Sequence, residues 1–599
     1  MRRQPTPRRR GTVSIRVALI LAAAACAQPI RWVPPDPEHE KAALEAGRAG
    51  DTQALPKLTA WLADPAVADM AAWSLGRVEG GQEPLIRCLA DGCPAAPEAA
   101  RALAGAPGDK AAAVTALVAA LEGPAAREAA FALGVLARDK AVRFPPNAWP
   151  ALADVLQRSE AASPTNPEWR VPLNDGAAYA LSRMPRGEGV RGALEQALRA
   201  TGPWRRSLAA RAWGAQGLPA ADLLAAGAFR DEWRVRVEAA RALALAAGGK
   251  QVLGAAFAGQ DNPHVIVALA ESAAALGELA PEPSLYRDET SRCAVAQARD
   301  RVRKRLVETP GCGAAGWRSR ARAGALAAEL GLPEARAAFA DEDGRVRGAA
   351  AGAGGAPFAA ELRALLADSD GFVVQEAAGA LAKLDPNPAT REAALAAAQR
   401  LAPARARAAG NAESDALTAL VGLTGPLPEL LPTPNVPLAV ALGQRGLRPP
   451  VPEEVAGAPR FHVLRLRTSR GELMVDLLPD VAPLTTSALG ALAKRGFYDG
   501  LTFHRVVPDF VVQGGDPRGD GDGGPGWALP DEHSPLRFRR GTLGIATSGP
   551  HTGGSQFFLC HSPQPHLDGR YTVAGQLRGG DDVLDSLQPG DTILSASAE

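Results

Sequence analysis

The chain has 599 residues, too many for a single hydrophobic core, so we expect several folding units. Its 66 basic and 65 acidic residues leave a net charge of +1, which argues against a protein that binds nucleic acid over its whole surface. Only 5% of residues are aromatic, and Phe and Tyr concentrate after Phe461. This distribution favours a long helical region packed through small residues, followed by a β domain.

Residues 1–27 are typical of an export signal. Arginines precede the apolar stretch from Val17 to Ala25, which is too short to span a bilayer at about 20 residues per helix. Small residues before Cys26 suit either an ordinary signal peptidase or attachment of lipid to Cys26, although Ala23 stands where a bacterial lipobox usually has Leu. We therefore expect an exported protein of the bacterial envelope, periplasmic and either free or lipid-anchored through Cys26.

The other cysteines leave two interpretations open. Cys88 with Cys93, and Cys293 with Cys312, are candidate disulfide pairs in an oxidising compartment, but ordinary buried or loop thiols are the favoured interpretation. Neither pair has zinc-ligand spacing with nearby histidines. We predict no metal site and no cofactor.

Residues 28–423 carry a recurring helical pattern, Val-x-x-x-Ala-Ala-x-Ala-Leu. Clear copies are 235–243 and 373–381, and several copies follow an acidic or Pro/Gly-containing turn such as 261–263. Offsets of 4, 7 and 8 lie on one helical face, where alanine lets neighbouring helices approach closely. The pattern resembles HEAT repeats of the short bacterial kind, which implies an all-α solenoid.

The repeats indicate stacked helices rather than a catalytic site. They predict a curved surface that holds protein partners. Arg234, Arg236, Arg345 and Arg347 are candidates for a face that binds acidic partners, but solvated helix faces or interhelix ladders are favoured. A weaker alternative, an array related to cofactor lyases, has no supporting set of residues.

Residues 424–459 interrupt the pattern with nine prolines. Proline blocks helix continuation and favours an extended, semi-rigid spacer. We predict a linker here and a domain boundary at each of its ends.

Residues 460–599 change from helical to alternating periodicity. A hairpin is predicted around Ser469-Arg470-Gly471, then a helix from Val481 to about Lys494, then a strand that carries Arg505. Further strands are predicted at 556–561 and 571–577, with a short helix at 583–587. Short strands with two helices favour a closed β-barrel.

Three motifs in this domain have a shared order and spacing. They are Phe503-His504-Arg505 with the Phe510 and Gln513 that follow, the run from Gly549 to Phe558, and Leu567-Asp568-Gly569-Arg570. Together they resemble the cyclophilins, which are peptidyl-prolyl cis-trans isomerases, over nearly all of residues 460–599. Ordered motifs of this length are far more specific than any one short motif.

The resemblance implies roles for individual residues. Arg505 and Gln513 match the catalytic positions. Thr547 stands where the family has Asn, His566 where many members have Trp, and Tyr571 where they often have His. The positions that match substrate-binding residues are Phe510, Val511, Ala546, Thr547, Gln556, Phe558, Leu567, His566 and Tyr571.

The resemblance and the repeats together predict an isomerase of X-Pro bonds in proline-containing protein clients. Rotation about the X-Pro bond faces a barrier of about 18–20 kcal/mol and needs the amide twisted, with no bond to the substrate made or cut. The expected role is to assist the folding of exported proteins, with the array as the protein-binding scaffold. The alternative is a scaffold that holds proline segments with little or no turnover.

Overall fold

The computed structural model describes residues 37–158, 175–200, 202–384, 387–405, 412–425 and 451–599, which belong to one compact unit. The predicted export signal, Cys26 and most of the Pro-rich segment lie outside the described residues. Among the described residues no helix combines the length and the apolar character that crossing a membrane requires. Within the same ranges no three His, Cys, Asp or Glu side chains are grouped so as to hold a metal ion.

The described part of the N-terminal region is a succession of helices. Most are two to four turns long, and short turns join them. In chain order they are α1 (Pro37–Ala49), α2 (Leu55–Trp61), α3 (Ala68–Leu75), α4 (Gln82–Asp91), α5 (Ala96–Leu103), α6 (Lys110–Ala120), α7 (Ala126–Leu136), α8 (Ala148–Gln157), α9 (Asp175–Leu181), α10 (Arg191–Ala197), α11 (Pro203–Ala215), α12 (Ala220–Ala225), α13 (Trp233–Leu243), α14 (Gly249–Phe257), α15 (Pro263–Leu276), α16 (Glu289–Arg303), α17 (Trp317–Glu329), α18 (Ala335–Phe339), α19 (Gly344–Ala353), α20 (Ala359–Leu365), α21 (Gly371–Ala382), α22 (Pro388–Arg405) and α23 (Ala412–Thr424).

Alternate helices of this region pack side by side, so that one helix contacts the helix two places further along the chain. The odd-numbered helices from α1 to α15 follow one another in this way, and α17, α19, α21 and α23 form a second series of the same kind. We call these helices the inner layer. Their close approach depends on small residues, because a Cβ on Gly214 of α11 would lie 2.6 Å from the Cα of Ala242 in α13. The alanine-rich pattern therefore forms helix-to-helix contacts, as its spacing predicts.

Ion pairs link successive inner helices. Arg236 pairs with Asp261 at 3.6 Å, and Arg347 pairs with Asp368 at 2.7 Å. Asn262 Oδ1 caps α15 by accepting a hydrogen bond from the amide of His264 at 2.9 Å. The predicted interhelix ladder is thus present at Arg236 and Arg347.

Two pairs of cysteines in the helical region are joined by disulfides. They are Cys88 with Cys93, and Cys293 with Cys312. Cys560, in the C-terminal domain, is a buried free thiol. The favoured interpretation from the sequence, ordinary thiols, is therefore wrong for these two pairs, and disulfide pairing is the one that the structure has.

The C-terminal domain is an eight-stranded antiparallel sheet with helices packed against it. A four-residue helix, Glu453–Ala456, stands within the segment predicted to be extended. The strand order is β3-β4-β6-β5-β7-β2-β1-β8. The elements are α24 (Glu453–Ala456), β1 (Val463–Thr468), β2 (Gly471–Leu477), α25 (Pro483–Lys494), β3 (Arg505–Val507), β4 (Val511–Gly514), β5 (Thr542–Ile545), β6 (Phe557–Cys560), β7 (Val573–Gly579), α26 (Asp581–Ser586) and β8 (Ile593–Ala598).

The sheet is curled around a hydrophobic core. Leu464 and Leu466 of β1 and Val475 of β2 are completely buried there, beside Phe503 and Phe557. Alternation along β1 and β2 directs these side chains inward, which is why the hairpin is readable from the sequence. Neither β5 nor β8 was predicted from the sequence.

The inner helices contact the C-terminal domain along most of the array. Arg48 Nε donates to the carbonyl of His533 at 2.8 Å, and Arg345 Nη1 donates to the carbonyl of Arg518 at 3.2 Å. Arg234 and Arg345, for which solvated faces were favoured, therefore belong to an interface within the chain. Further contacts come from Arg77 to His533 Nδ1 (2.7 Å), Arg101 to the Pro535 carbonyl (2.8 Å), Arg234 to Asp585 (2.5 Å) and Arg318 to Thr502 Oγ1 (2.9 Å).

Candidate active site

A row of polar side chains runs from β3 across β4 to the residue that precedes β6. Arg505 of β3 lies opposite Gln513 of β4, and Arg505 Nη1 donates to Gln513 Oε1 at 3.4 Å. Gln513 Nε2 in turn donates to Gln556 Oε1 at 2.9 Å. Gln556 Nε2 donates to the carbonyls of Gly521 and Gly523 at 2.7 and 2.8 Å, so the far end of the row is fixed by the backbone of the Gly-rich loop.

Apolar side chains lie beside this row. We call them the apolar cluster. The Arg505 guanidinium lies 5.7 Å from the ring centroid of Phe510, and the Phe510 ring stacks on His566 at 5.5 Å. The members of the cluster are Val511, Phe538, Phe558, Cys560, Leu567 and Val573, with Phe510, Ala546, Tyr571, Leu478 and Leu536 packed against it.

A small hollow adjoins the polar row. It has a volume of about 80 Å³, and Ala546, Thr547, Gln513 and Gln556 contribute to its lining. All eleven positions in the C-terminal domain that the sequence analysis singled out therefore lie in the polar row, the apolar cluster or this hollow, with His566 stacked on Phe510 at the edge of the cluster. Residues far apart in the sequence, such as Gln513 and Gln556, meet because β4 and β6 are neighbours in the sheet.

The charges at the site are set by burial. Partial burial lowers the pKa of the Arg505 guanidinium from its usual value, opposed by Tyr571, while the side chain stays open to solvent. Burial, together with the nearby Arg138, Arg183, Arg211 and Arg570, lowers the pKa of His566 to about 3. His566 is therefore neutral at physiological pH, and Arg505 carries the positive charge of the polar row.

Sequence reasoning missed two residues here. Phe538 is buried and stacks on Phe558 at 5.5 Å, forming the floor of the apolar cluster. Its signal was a lone aromatic residue between Arg537 and Arg539. Asp509 is buried next to Phe510 and has a positive φ of 57°. No local pattern reveals it, because its ionic partner Arg211 comes from the helical region.

Comparison with known proteins agrees with this geometry. The family model described as cyclophilin type peptidyl-prolyl cis-trans isomerase/CLD matches residues 463–597. A peptidyl-prolyl cis-trans isomerase of Synechococcus elongatus is 48% identical over 132 residues, which are 22% of this chain and 91% of that protein. Peptidyl-prolyl cis-trans isomerase B of Bacillus subtilis is 46% identical over 126 residues, 21% of this chain and 88% of that protein.

A solved structure is also similar to part of this chain. The crystal structure of a Cryptosporidium parvum cyclophilin type isomerase covers 23% of this chain and 98% of its own, with 34% identity and a TM-score of 0.22. Through its C-terminal domain the chain belongs to the cyclophilin-type peptidyl-prolyl cis-trans isomerases. The family resemblance read from the motifs is confirmed.

Proposed function

We propose that the C-terminal domain isomerises X-Pro bonds of protein clients, with the proline ring held on the apolar cluster and Arg505 acting on the amide. The observation that carries this proposal is the hydrogen-bonded row Arg505–Gln513–Gln556 directly beside that cluster. A single oriented cation next to a surface for an aliphatic ring suits a reaction that needs no nucleophile or general base.

The catalytic step is rotation, so the site has to bind the twisted amide better than either planar form. As the amide twists, its nitrogen becomes pyramidal and gains a lone pair, to which the Arg505 guanidinium donates. Gln513 orients that guanidinium, and Gln556 holds Gln513 in turn. Lowering the barrier by about 7 kcal/mol would accelerate exchange about 10⁵-fold.

The test is cis-to-trans exchange in an Ala-Pro peptide, measured by NMR with the full-length protein. Arg505→Ala removes the donor and Arg505→Lys keeps the charge without the planar fork, whereas Arg467→Ala changes an exposed arginine of β1 and serves as the control. We expect exchange to be lost in Arg505→Ala and retained in the control. Wild-type exchange no faster than in the free peptide would favour the alternative, a scaffold that binds proline segments with little turnover.

We also propose that the helical region is a HEAT-like solenoid that recruits protein partners. Its support is the regular packing of inner helices and the Arg–Asp ladder between them. Many inner-layer arginines contact the C-terminal domain. The helices outside the inner layer, which form the other layer, are therefore the surface left for partners. Photo-crosslinkers at Arg199, in the turn that follows α10, and at Arg234 in the inner layer test this, since only the first should capture other proteins.

An exported location in the bacterial envelope is a further proposal, with assistance to folding of exported proteins as the role. The two disulfides support it, since disulfides persist in oxidising compartments. Cell fractionation tests the location. Metabolic labelling with a fatty acid, compared between wild type and Cys26→Ala, tests the lipid anchor.

We infer, finally, that the sheet closes into a barrel. The support is a set of backbone hydrogen bonds between the segments that lead into its two edge strands. Phe503 donates to the Asp591 carbonyl at 2.9 Å, and Ile593 donates to the Leu501 carbonyl at 2.8 Å. Slow hydrogen exchange at these two amides is the expected outcome, and fast exchange would indicate an open edge.

A further inference from the structure

A cavity of about 420 Å³ lies where the inner helices meet the C-terminal domain. We call it the interdomain cavity. Phe510 and His566 line it from the C-terminal domain, and Phe510 also packs against the apolar cluster. An extended peptide advances about 3.3–3.6 Å per residue. A client with its proline on the cluster therefore has neighbouring residues within reach of the interdomain cavity.

The helical side of this cavity is rich in arginine. Arg211 and Arg241 share the carboxylate of Glu238, at 2.7 Å each, and Arg211 also lies 3.3 Å from Asp509, so both arginines have acidic partners. Arg138 and Arg183 also line the cavity, and neither forms an ion pair with any carboxylate of the described residues. Two guanidinium groups thus face the cavity without a partner of opposite charge.

The contacts of these two arginines leave their positive charges without a carboxylate partner among the described residues. Arg183 Nε is buried and has no hydrogen-bond partner within the described ranges, and its guanidinium lies 5.7 Å from the ring of Tyr179. Arg138 is exposed at the cavity. On the opposite wall His566 is neutral, and the carboxyl group of Asp509 is paired with Arg211 at 3.3 Å rather than with Arg138 or Arg183. The cavity is therefore electropositive on the side away from Glu238.

We propose that the interdomain cavity is a specificity subsite of the isomerase, in which Arg138 and Arg183 bind the carboxylate of an Asp or Glu side chain close to the client's proline. The planar guanidinium fork matches a carboxylate with two parallel hydrogen bonds. The preferred substrate is accordingly an X-Pro segment flanked by acidic residues. This proposal rests on the isomerase function and adds its substrate class.

The test uses the full-length protein and two matched peptides with blocked ends. Both contain a central Ala-Pro, and one carries Glu on both sides where the other carries Gln. Exchange rates by NMR give the ratio of kcat/KM, and chemical-shift titration gives the ratio of Kd. We expect the Glu peptide to be favoured by about 5- to 10-fold at low salt, the size of two partly screened ion pairs. The preference should fall towards one at high salt.

Variants assign the preference to the two arginines. The double change Arg138→Gln with Arg183→Gln should abolish it, and the double change to Lys should retain part of it. Arg199→Gln removes an exposed charge elsewhere on the array and is the matched control. A wild-type ratio of one, or a ratio that survives the double Gln change, would overturn the proposal. If neither peptide is turned over, the isomerase function fails, and the ratio of Kd still decides whether the subsite exists.

Discussion

Arg211 Nη2 of the helical array lies 3.3 Å from Asp509 Oδ2, in the turn that precedes Phe510. The same guanidinium binds Glu238 at 2.7 and 2.8 Å. Arg241 completes the contact by donating to the carbonyl of Pro508 at 3.1 Å. The array therefore holds the backbone beside the apolar cluster, although Asp509 is 298 residues away from Arg211 in the sequence.

This contact predicts that changing Arg211 and changing Asp509 will lower the stability of the protein by different amounts. Arg211→Met leaves Glu238 and Asp509 as buried carboxylates without their shared cation, which should lower stability by about 3–5 kcal/mol. Burial and the nearby Glu238 raise the pKa of Asp509 to about 7, against the pull of Arg211, so Asp509→Asn replaces a group that is readily protonated with a neutral one of equal size. We expect the Asn variant to lose less than 1 kcal/mol, because Asn also tolerates positive φ.

Denaturant unfolding at pH 7 measures both variants. Hydrogen exchange of the Phe510 amide, which donates to the Val507 carbonyl at 3.0 Å, reports on the turn itself. Equal losses of unfolding free energy in Arg211→Met and Asp509→Asn would contradict this prediction.

A second contact links the array to α26. Asp585 accepts from Arg234 at 2.5 Å and from Arg540 at 2.7 Å, and Trp233 Nε1 lies 3.3 Å from its other oxygen. Asp585→Asn leaves two guanidinium groups facing each other, so we expect faster hydrogen exchange in α13 and α26. Asp582→Asn, on the exposed side of the same helix, is the control and should change neither. Unchanged exchange in the Asp585 variant would show that the ionic contact contributes little to docking.

The position of Gly544 on β5 gives a prediction about the apolar cluster. A Cβ there would lie 2.5 Å from Phe538 Cε1 and 2.5 Å from Phe558 Cζ, so Gly544→Ala forces both rings to move. We expect about 1–3 kcal/mol of destabilisation and a severalfold rise in KM that exceeds the change in kcat. Gly579→Ala, at the end of β7, meets nothing within 4 Å and is the matched control. A normal KM in Gly544→Ala would mean that the rings adjust without altering the substrate site.

The sequence predicts the local parts of this molecule well. The β1–β2 hairpin follows from alternation, and the helix from Pro483 to Lys494 follows from its apolar period and the proline at its start. The motif residues Arg505, Gln513 and Gln556 come together because their strands are neighbours. Docking of the array could not be predicted, since Arg234 and Asp585 are 351 residues apart and only tertiary packing brings them together. Phe538 was missed for the same reason, as it lies outside the strands and meets Phe558 of β6 only through tertiary packing.

The buried carboxyl of Glu98 on α5 predicts a dependence of stability on pH. Burial raises its pKa from the ordinary 4.5 to about 7, although Arg101 Nη2 lies 3.3 Å away and opposes the rise. Between these two values the folded protein retains a proton that the unfolded chain has released. The folded state therefore loses stability as the pH rises from 4.5 to about 7, by at most about 3 kcal/mol, and the loss is constant above pH 7.

Glu98→Gln removes this titration while keeping the size of the side chain. We expect the variant and the wild type to unfold at similar temperatures at pH 4.5 and the variant to be more stable at pH 8. Glu83→Gln changes an exposed carboxylate on the preceding helix, and its profile should follow that of the wild type. Thermal unfolding of the three proteins across this range measures the difference. A Glu98→Gln profile parallel to that of the wild type would mean that Arg101 keeps Glu98 ionised in the folded protein.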